Sequence, residues 1–353
     1  MSEPRRASHG HSALDGPGAL AAVRLAVRAP SIHNTQPWRW SLDPSGVLRL
    51  HADWSRRLAV ADPDGHSLMI SCGAAVQLTA LGLEAQGWDV AVDAFPDATD
   101  SSVLAAFRVA PNDGGDAGAP ARQARSLAEA ALDRRSDRRP LLVRQIADAD
   151  LESLRQAGNP DAWIDFPHGE DQRVNLAVAV SWADRQQAND EAYVAEMRRW
   201  LRDPEVHAPG EQPADDGVPT RSIPHVDPGH PRRLDIPQRD FEAGMSGGQI
   251  IERDVDEKPL IAVVFAPADS PRDQLLAGRS MMRFMLRAHQ LGLATCPLSQ
   301  AVDLGAFRSR VQGLMGWVGR PEMMLRVGYP SRPLDELPRT PRRAPADVLD
   351  IAA

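Results

Sequence analysis

Cysteine is nearly absent: Cys72 and Cys296 are the only two thiols in 353 residues. Two thiols cannot build a disulfide framework, so a reducing cytoplasm is the expected location. No apolar run approaches the ~18 residues of a membrane helix, and polar residues 1–18 lack the apolar core of a secretory signal and read as a mobile tail. Neither Gly-x-Gly-x-x-Gly nor a phosphate-binding P-loop occurs, which argues against a Rossmann dinucleotide domain. Ten histidines are scattered without metal-ligand spacing, so no zinc centre is expected.

The formal charge of −8 excludes a general electrostatic match to nucleic acid or an anionic membrane. Arginine is nonetheless clustered, at Arg134, Arg135, Arg138 and Arg139 and again at Arg339, Arg342 and Arg343. In an acidic chain such clusters suit a small local anion. The length allows two domains of roughly 150 residues, or two closely packed halves.

The best internal repeat is a helix ending in Leu-Gly-Leu, first over 67–86 with Leu81, Gly82 and Leu83, then over 274–293 with Leu291, Gly292 and Leu293. Both segments are apolar around much of their circumference, as buried helices are. The first is rich in small residues (Cys72, Gly73, Ala74, Ala75, Ala80), which would let another helix approach closely. Strand candidates precede them at 47–51 and 260–265 and follow them at 103–109 and 323–327. A further helix over 122–135 opens the second copy. The expected fold is α+β, with halves at 19–120 and at 121–203 plus 249–329. The second half is interrupted by an irregular insert, 204–248, either disordered or a lid that Ile223, Leu234, Ile236 and Phe241 could anchor. Prolines at 330, 333, 338, 341 and 345 make 330–353 an extended surface arm without regular structure.

Two segments carry chemistry. The first is Pro30, Ser31, Ile32, His33, Asn34, Thr35, Gln36, Pro37 and Trp38, a loop between a helix (19–28) and a strand. Ser31, Asn34 and Gln36 can hydrogen-bond a polar heterocycle or a polyol chain, or simply cap neighbouring backbone. The second is Arg134, Arg135, Ser136, Asp137, Arg138, Arg139 and Pro140. Guanidiniums beside a hydroxyl suit a phosphate; equally, a charge run can end a helix in solvent. Gly244, Ser246 and Gly248 match a hydrolase nucleophile elbow, but that motif needs a flanking strand and helix, so a glycine hinge is the better reading. Met281, Met282 and Met285 read as core, and Cys296 beside Pro297 as a buried structural thiol.

Together these segments resemble the nitroreductase superfamily, and within it the Acg family of nitroreductase-like proteins. The resemblance runs from about Leu20 to Leu349. Its most specific part is the loop from Pro30 to Trp38, supported by Arg134, Ser136 and Arg138, by residues 292–300, by Arg326 to Tyr329 and by Thr340 to Arg343. It implies a nitroreductase-like fold whose two fused halves form an intramolecular pseudo-dimer, with a lid-like insert. In ordinary dimeric relatives each FMN site takes an arginine–serine segment and a basic arm from one subunit and a Pro-Ser-x-x-Asn loop from the other. Here the first half keeps only the loop and the second only the arginine–serine segment, so one composite site and one FMN per chain are implied.

By the same resemblance, Arg134, Ser136 and Arg342 or Arg343 would hold the FMN phosphate, Arg135 would join the cofactor-binding set, and Arg138 would sit near the flavin N1/O2 edge. Pro30, Ser31, Ile32, Asn34 and Gln36 would line the ring and ribityl chain. Backbone groups of Leu298 and Ser299 would face N5. No catalytic acid is required, because the flavin carries the redox chemistry. The implied activity is electron transfer from NAD(P)H to a nitroaromatic, quinone or similar acceptor. The alternative is an FMN-sequestering protein whose lid blocks access. Either a monomer or a homodimer is compatible with the fused halves. His66 departs from the family pattern, in which an arginine follows Asp-Pro-x-Gly, and leaves the acceptor unassigned.

Overall fold

A computed structural model describes residues 13–112, 118–202, 214–225, 249–250 and 257–352. The first helix, α1 (Gly16–Ala26), is capped by the Asp15 carboxylate, which accepts from the Gly18 N–H. Leu14 is buried, so the tail expected over 1–18 is corrected: by Leu14 the chain is already packed and capping a helix.

A short 3-10 turn, Ile32–Asn34, leads to β1 (Trp38–Leu42) and its antiparallel partner β2 (Leu48–Ala52). Next come α2 (His66–Glu84), β3 (Trp88–Ala94) and β4 (Val103–Pro111). The middle of the chain supplies α3 (Gly118–Asp133), α4 (Asp148–Gln156), β5 (Trp163–Asp165), α5 (Gly169–Ala188) and α6 (Glu191–Arg199). Two short parallel pairs follow, β6 (Leu201–Arg202) with β7 (Val218–Pro219), and β8 (Pro224–His225) with β9 (Gln249–Ile250). The last part runs β10 (Leu260–Ala266), α7 (Pro271–Gln290), β11 (Ala294–Pro297), α8 (Gly305–Met315), β12 (Arg320–Gly328) and β13 (Leu349–Ile351). Two main sheets result, ordered β13-β1-β2-β4-β3 and β11-β12-β10-β5.

The architecture is α+β, with α2 and α7 packed on each other at the centre. Residues Ser67 to Gly73 of α2 are buried without a break, as are Leu78 to Leu83. One sequence expectation is therefore corrected: α2 is long and apolar enough by length and composition to cross a membrane, but 94% of that window is buried inside the protein. The apolar circumference meets α1, α3 and α7 instead of lipid. Helix α7 starts at a capping box in which Ser270 and Asp273 each bond the other's backbone N–H.

The Leu-Gly-Leu repeat marks two unlike places. Gly82 lies inside α2, where a Cβ would come within 2.9 Å of Ala22 Cα. Gly292 lies beyond α7 with φ +72°, ending that helix.

The C-terminal arm also departs from expectation. Beyond Pro345, β13 pairs in parallel with β1, matching Trp40 with Leu349 and Leu42 with Ile351. Residues 349–351 contain no proline, so their N–H groups are free to join a sheet edge that lies in the first half of the chain.

Candidate functional site

A cavity of about 990 Å³, counting the open solvent at its mouth, opens among eight stretches of chain. Pro30, Ser31, Ile32 and Asn34 form one wall. Ser67, Ile70 and Ser71 of α2 form the next. Ser136 and Arg138 also line it, as do Cys296, Leu298 and Ser299, with Thr340 and Arg342 of the C-terminal arm. Met281, Met323 and Val218 complete the apolar lining. Thus loop, arginine–serine segment and basic arm, far apart in sequence, converge on one space.

The first wall is strained in a specific way. His33, Asn34 and Gln36 have φ of 44°, 56° and 50°, the left-handed region that side chains other than glycine rarely enter. Side-chain bonds hold it there. Ser31 Oγ accepts from the Gln36 N–H at 3.0 Å, and Ser71 Oγ accepts from the Ile32 N–H at 3.1 Å. Arg56 donates to the Thr35 carbonyl at 2.5 Å. The Asn34 amide donates to the carbonyls of Gly217 and Pro341 at 2.9 and 3.1 Å, while its Oδ1 is buried without a partner.

Gln36 and Arg343 do not line the cavity. The Gln36 side chain accepts from the Arg343 N–H at 2.9 Å and donates to the Asp215 carbonyl at 2.7 Å. Arg343 Nη1 points to the Gln36 and Trp38 carbonyls. These residues stitch the loop to the arm, and between the two candidate arginines Arg342 lines the cavity. The Leu298 N–H is likewise committed, donating to the Met324 carbonyl at 2.8 Å, so it is not a donor toward the cavity.

Behind the lining sits a concentration of guanidiniums. Arg134 is buried, and burial, then Arg28, lower its pKa to about 10, with Cys296 opposing. Arg342 is lowered to about 9 by burial, then by Arg28 and Arg134. Arg28 is lowered by burial, then by Arg339 and Arg135. Among the described residues, Nε of Arg28, Arg135 and Arg342, and Nε and Nη1 of Arg134, are buried without hydrogen-bond partners. Buried N–H groups are normally satisfied, and buried like charges repel. The cluster has the electrostatics of an anion site. Arg139, by contrast, is satisfied by a two-point pair with Asp137 at 3.0 and 2.9 Å and is structural.

The α2 end of the cavity adjoins a buried polar group. Asp62 accepts from the Ser67 and Leu68 N–H groups, and burial raises its pKa to about 6. Ser67 Oγ donates to Asp303 at 3.2 Å. His66 Nε2 lies 2.7 Å from Glu322. Ligand atoms of His66, Asp269 and Glu322 fall within 4.8 Å of one another, a grouping that histidine spacing did not suggest. Arg308 and Arg320 already pair with Asp269 at 2.8 and 3.5 Å, so a cation there would meet two guanidiniums.

No family model matches the chain. Individual proteins do. Over 355 residues it is 32% identical to "Putative NAD(P)H nitroreductase Rv3131" of Mycobacterium tuberculosis, with 96% of each chain covered. Over 334 residues it is 30% identical to "Putative NAD(P)H nitroreductase acg" of the same species, covering 94% of this chain and 95% of that one. The chain belongs to the Acg family of nitroreductase-like proteins. Among solved structures, the FMN-dependent nitroreductase NfnB from Mycobacterium smegmatis in complex with NADPH is 17% identical, covering 65% of this chain and 100% of that one, with a TM-score of 0.39.

In this Acg-family chain the sequence reading missed Arg28, Ser67, Ser71, Thr340 and Val218. Arg28 carried one usable signal, its position immediately before Ala29 and Pro30 at the entrance to the loop. The two serines of α2 had none, because their helix reads as uniformly core. Of the residues expected to anchor the insert, Ile223 is buried. Leu234, Ile236, Phe241 and the Gly244 to Gly248 motif lie outside the described residues.

Proposed function

We propose that this chain is an FMN-binding oxidoreductase that passes electrons from NAD(P)H to a small-molecule acceptor, a nitroaromatic, quinone or similar compound. The observation that carries the reading is the buried arginine group with unpaired N–H donors. A phosphate dianion would supply the missing acceptors and negative charge through charge-assisted bonds. The residues present therefore fit the phosphate end of FMN: Arg134 and Arg135 from behind the wall, Ser136 and Arg342 from within it. Arg138 would face the electron-rich edge of the ring. Bound FMN would supply hydride acceptance and donation.

The chain's own work is then binding, orientation and exclusion of water. Ser31 and Asn34 offer polar atoms to the ligand; Ile32, Ile70, Met281 and Met323 form apolar walls. The names of the mycobacterial relatives support NAD(P)H as donor. We read the two sheet-bearing portions as fused halves dividing near residue 120, which makes an internal pseudo-dimer and leaves either a monomer or a homodimer in the cytoplasm. A visible spectrum with flavin stoichiometry tests the core of this proposal. One FMN per chain is expected, and a preparation that stays colourless after FMN is added would overturn it.

A second reading, FMN sequestration, is favoured by the insert. Val218 reaches the cavity wall, and the carbonyls of Asp215 and Gly217 are held by Gln36 and Asn34. Asp216 is gripped by Arg56 at 2.5 Å and Arg202 at 2.9 Å. Stopped-flow bleaching of the flavin by NADPH, with and without residues 205–248, separates the two. Fast bleaching of the intact protein excludes sequestration; bleaching only after deletion establishes it.

A further inference from the structure

The family resemblance places the phosphate among residues of the second half and the C-terminal arm. Arg28 belongs to neither. It sits two residues past the end of α1, its N–H donating to the Leu25 carbonyl, and the next residues enter the cavity loop. Arg342 Nη2 donates to the Ala29 carbonyl at 3.3 Å, which brings the arm's cationic head against the residue that follows Arg28. Arg28 figures in the electrostatics of both Arg134 and Arg342. Its own Nε is buried without an acceptor. Arg339, the remaining cation nearby, is paired with Asp133 at 3.8 Å and with the Leu132 carbonyl at 3.2 Å.

A merely structural arginine would be expected to find acceptors, as Arg139 does. Arg28 instead adds charge where Arg134, Arg135 and Arg342 already repel. Such an arrangement destabilises the protein without an anion and rewards the bound state. One phosphate carries at most two negative charges, fewer than four guanidiniums supply, so every arginine remains attracted to it.

We propose that Arg28 is a direct ligand of the phosphate group bound by this cluster, contributed by the same half that carries the ring-lining loop, so that four guanidiniums from three parts of the chain select phosphorylated over unphosphorylated flavin. This rests on the reading that the cavity holds a phosphorylated flavin. It adds a phosphate contact from the first half, so both halves grip both ends of one ligand.

The test uses the full-length chain with Arg28→Met, which keeps side-chain bulk, and Arg28→Lys, which keeps charge. FMN and riboflavin affinities are measured by flavin fluorescence, and melting temperature is measured on flavin-free protein with and without inorganic phosphate. Loss of a charge-assisted contact should weaken FMN binding by roughly 10- to 100-fold in Arg28→Met, leave riboflavin binding within about twofold and abolish most of the phosphate-induced rise in melting temperature. Arg28→Lys should recover part of the FMN affinity. The flavin-free Arg28→Met protein should melt no lower than wild type without phosphate, because a repelled buried cation has gone. Equal loss of FMN and riboflavin binding would mean a structural role and overturn the proposal, as would unchanged FMN affinity. Wild-type protein that binds neither flavin nor phosphate would overturn the functional reading itself, a result distinguishable from failure of Arg28 alone.

Discussion

Gly73 of α2 and Gly278 of α7 meet reciprocally: a Cβ on either would come within 2.9 Å of the other's Cα. Each would also come within 2.1 Å of a carbonyl on the facing helix, Leu275 O for Gly73 and Ile70 O for Gly278. Backbone offers no flexible atom to move aside, so the two helices can cross this closely only while both positions lack side chains. Ile70 and Met281, one on each helix, line the cavity, which links the crossing to the site.

Replacing Gly73 with Ala should force α2 and α7 apart. Overpacking of this kind costs about 1–3 kcal/mol, and a backbone clash belongs at the upper end. Urea denaturation checks it: a loss of about 2 kcal/mol or more is expected for Gly73→Ala and for Gly278→Ala. Unchanged stability would show that the helices can separate freely.

Ser31 lines the cavity, and Arg134 is buried two residues before the lining residue Ser136. Under the proposed function, Ser31→Ala and Arg134→Ala should each raise the dissociation constant for FMN at least about tenfold, the scale of one charge-assisted or loop-organising hydrogen bond. Equilibrium dialysis against FMN gives the answer. Wild-type retention in either variant removes that residue from the site.

Phosphate ionisation gives a pH prediction for binding. The second phosphate pKa of a free monoester is about 6, and surrounding arginines would push it lower in the complex. Affinity for FMN should therefore be constant above about pH 7 and weaken as pH falls below about 6. Riboflavin, without the phosphate, should show no such fall. Parallel titrations of both flavins between pH 5 and pH 8 would decide the point.

The His66–Glu322 pair predicts a different profile, for stability. Burial lowers His66 to about 3 and, with Asp269 adding to it, raises Glu322 to about 8. The folded pair thus holds one proton across this range. From 4.5 to 6.5 the unfolded pair also holds one, on histidine, and stability is level. Above 6.5 the unfolded pair releases its proton while the folded pair keeps it up to about 8, so stability falls as pH rises through that window. It also falls below pH 4.5, where the unfolded chain takes up a second proton. The loss between pH 6.5 and 8 should be about 1–2 kcal/mol, and Glu322→Gln should abolish it. Urea midpoints at those two pH values check both statements; an equal slope in the variant would assign the effect elsewhere.

Much of the fold was legible because it depends on local pattern. The apolar runs expected at 67–86 and 274–293 are α2 and α7, displaced by a few residues. The strands expected at 103–109 and 260–265 are β4 and β10. The Leu-Gly-Leu match misled, because identical tripeptides sit inside one helix and beyond the end of another. The pair that shares a role is Gly73 and Gly278, which shows no obvious motif. β13 was missed because a three-residue strand becomes one only against the edge of β1.

In the site, the sequence identified the segments better than the orientations. Loop and arginine cluster stood out by residue type, but that chemistry alone left a capping loop and a solvated charge run open, and only the family resemblance joined them and the arm to one ligand. Sequence could not tell that Gln36 and Arg343 turn toward one another while Arg342 faces inward, because neighbouring side chains carry the same chemistry and only packing selects among them.

A resemblance carried by motifs gave the class of protein, and composition gave the apolar character of its central helices and the clustering of its arginines. Tertiary structure decided which distant groups share a space. Arg28 with Arg134 and Arg342, and His66 with Glu322, 256 positions away, acquire their electrostatics only on folding, because Coulomb forces and desolvation depend on distance in space and on the exclusion of water, neither of which is written in the order of residues.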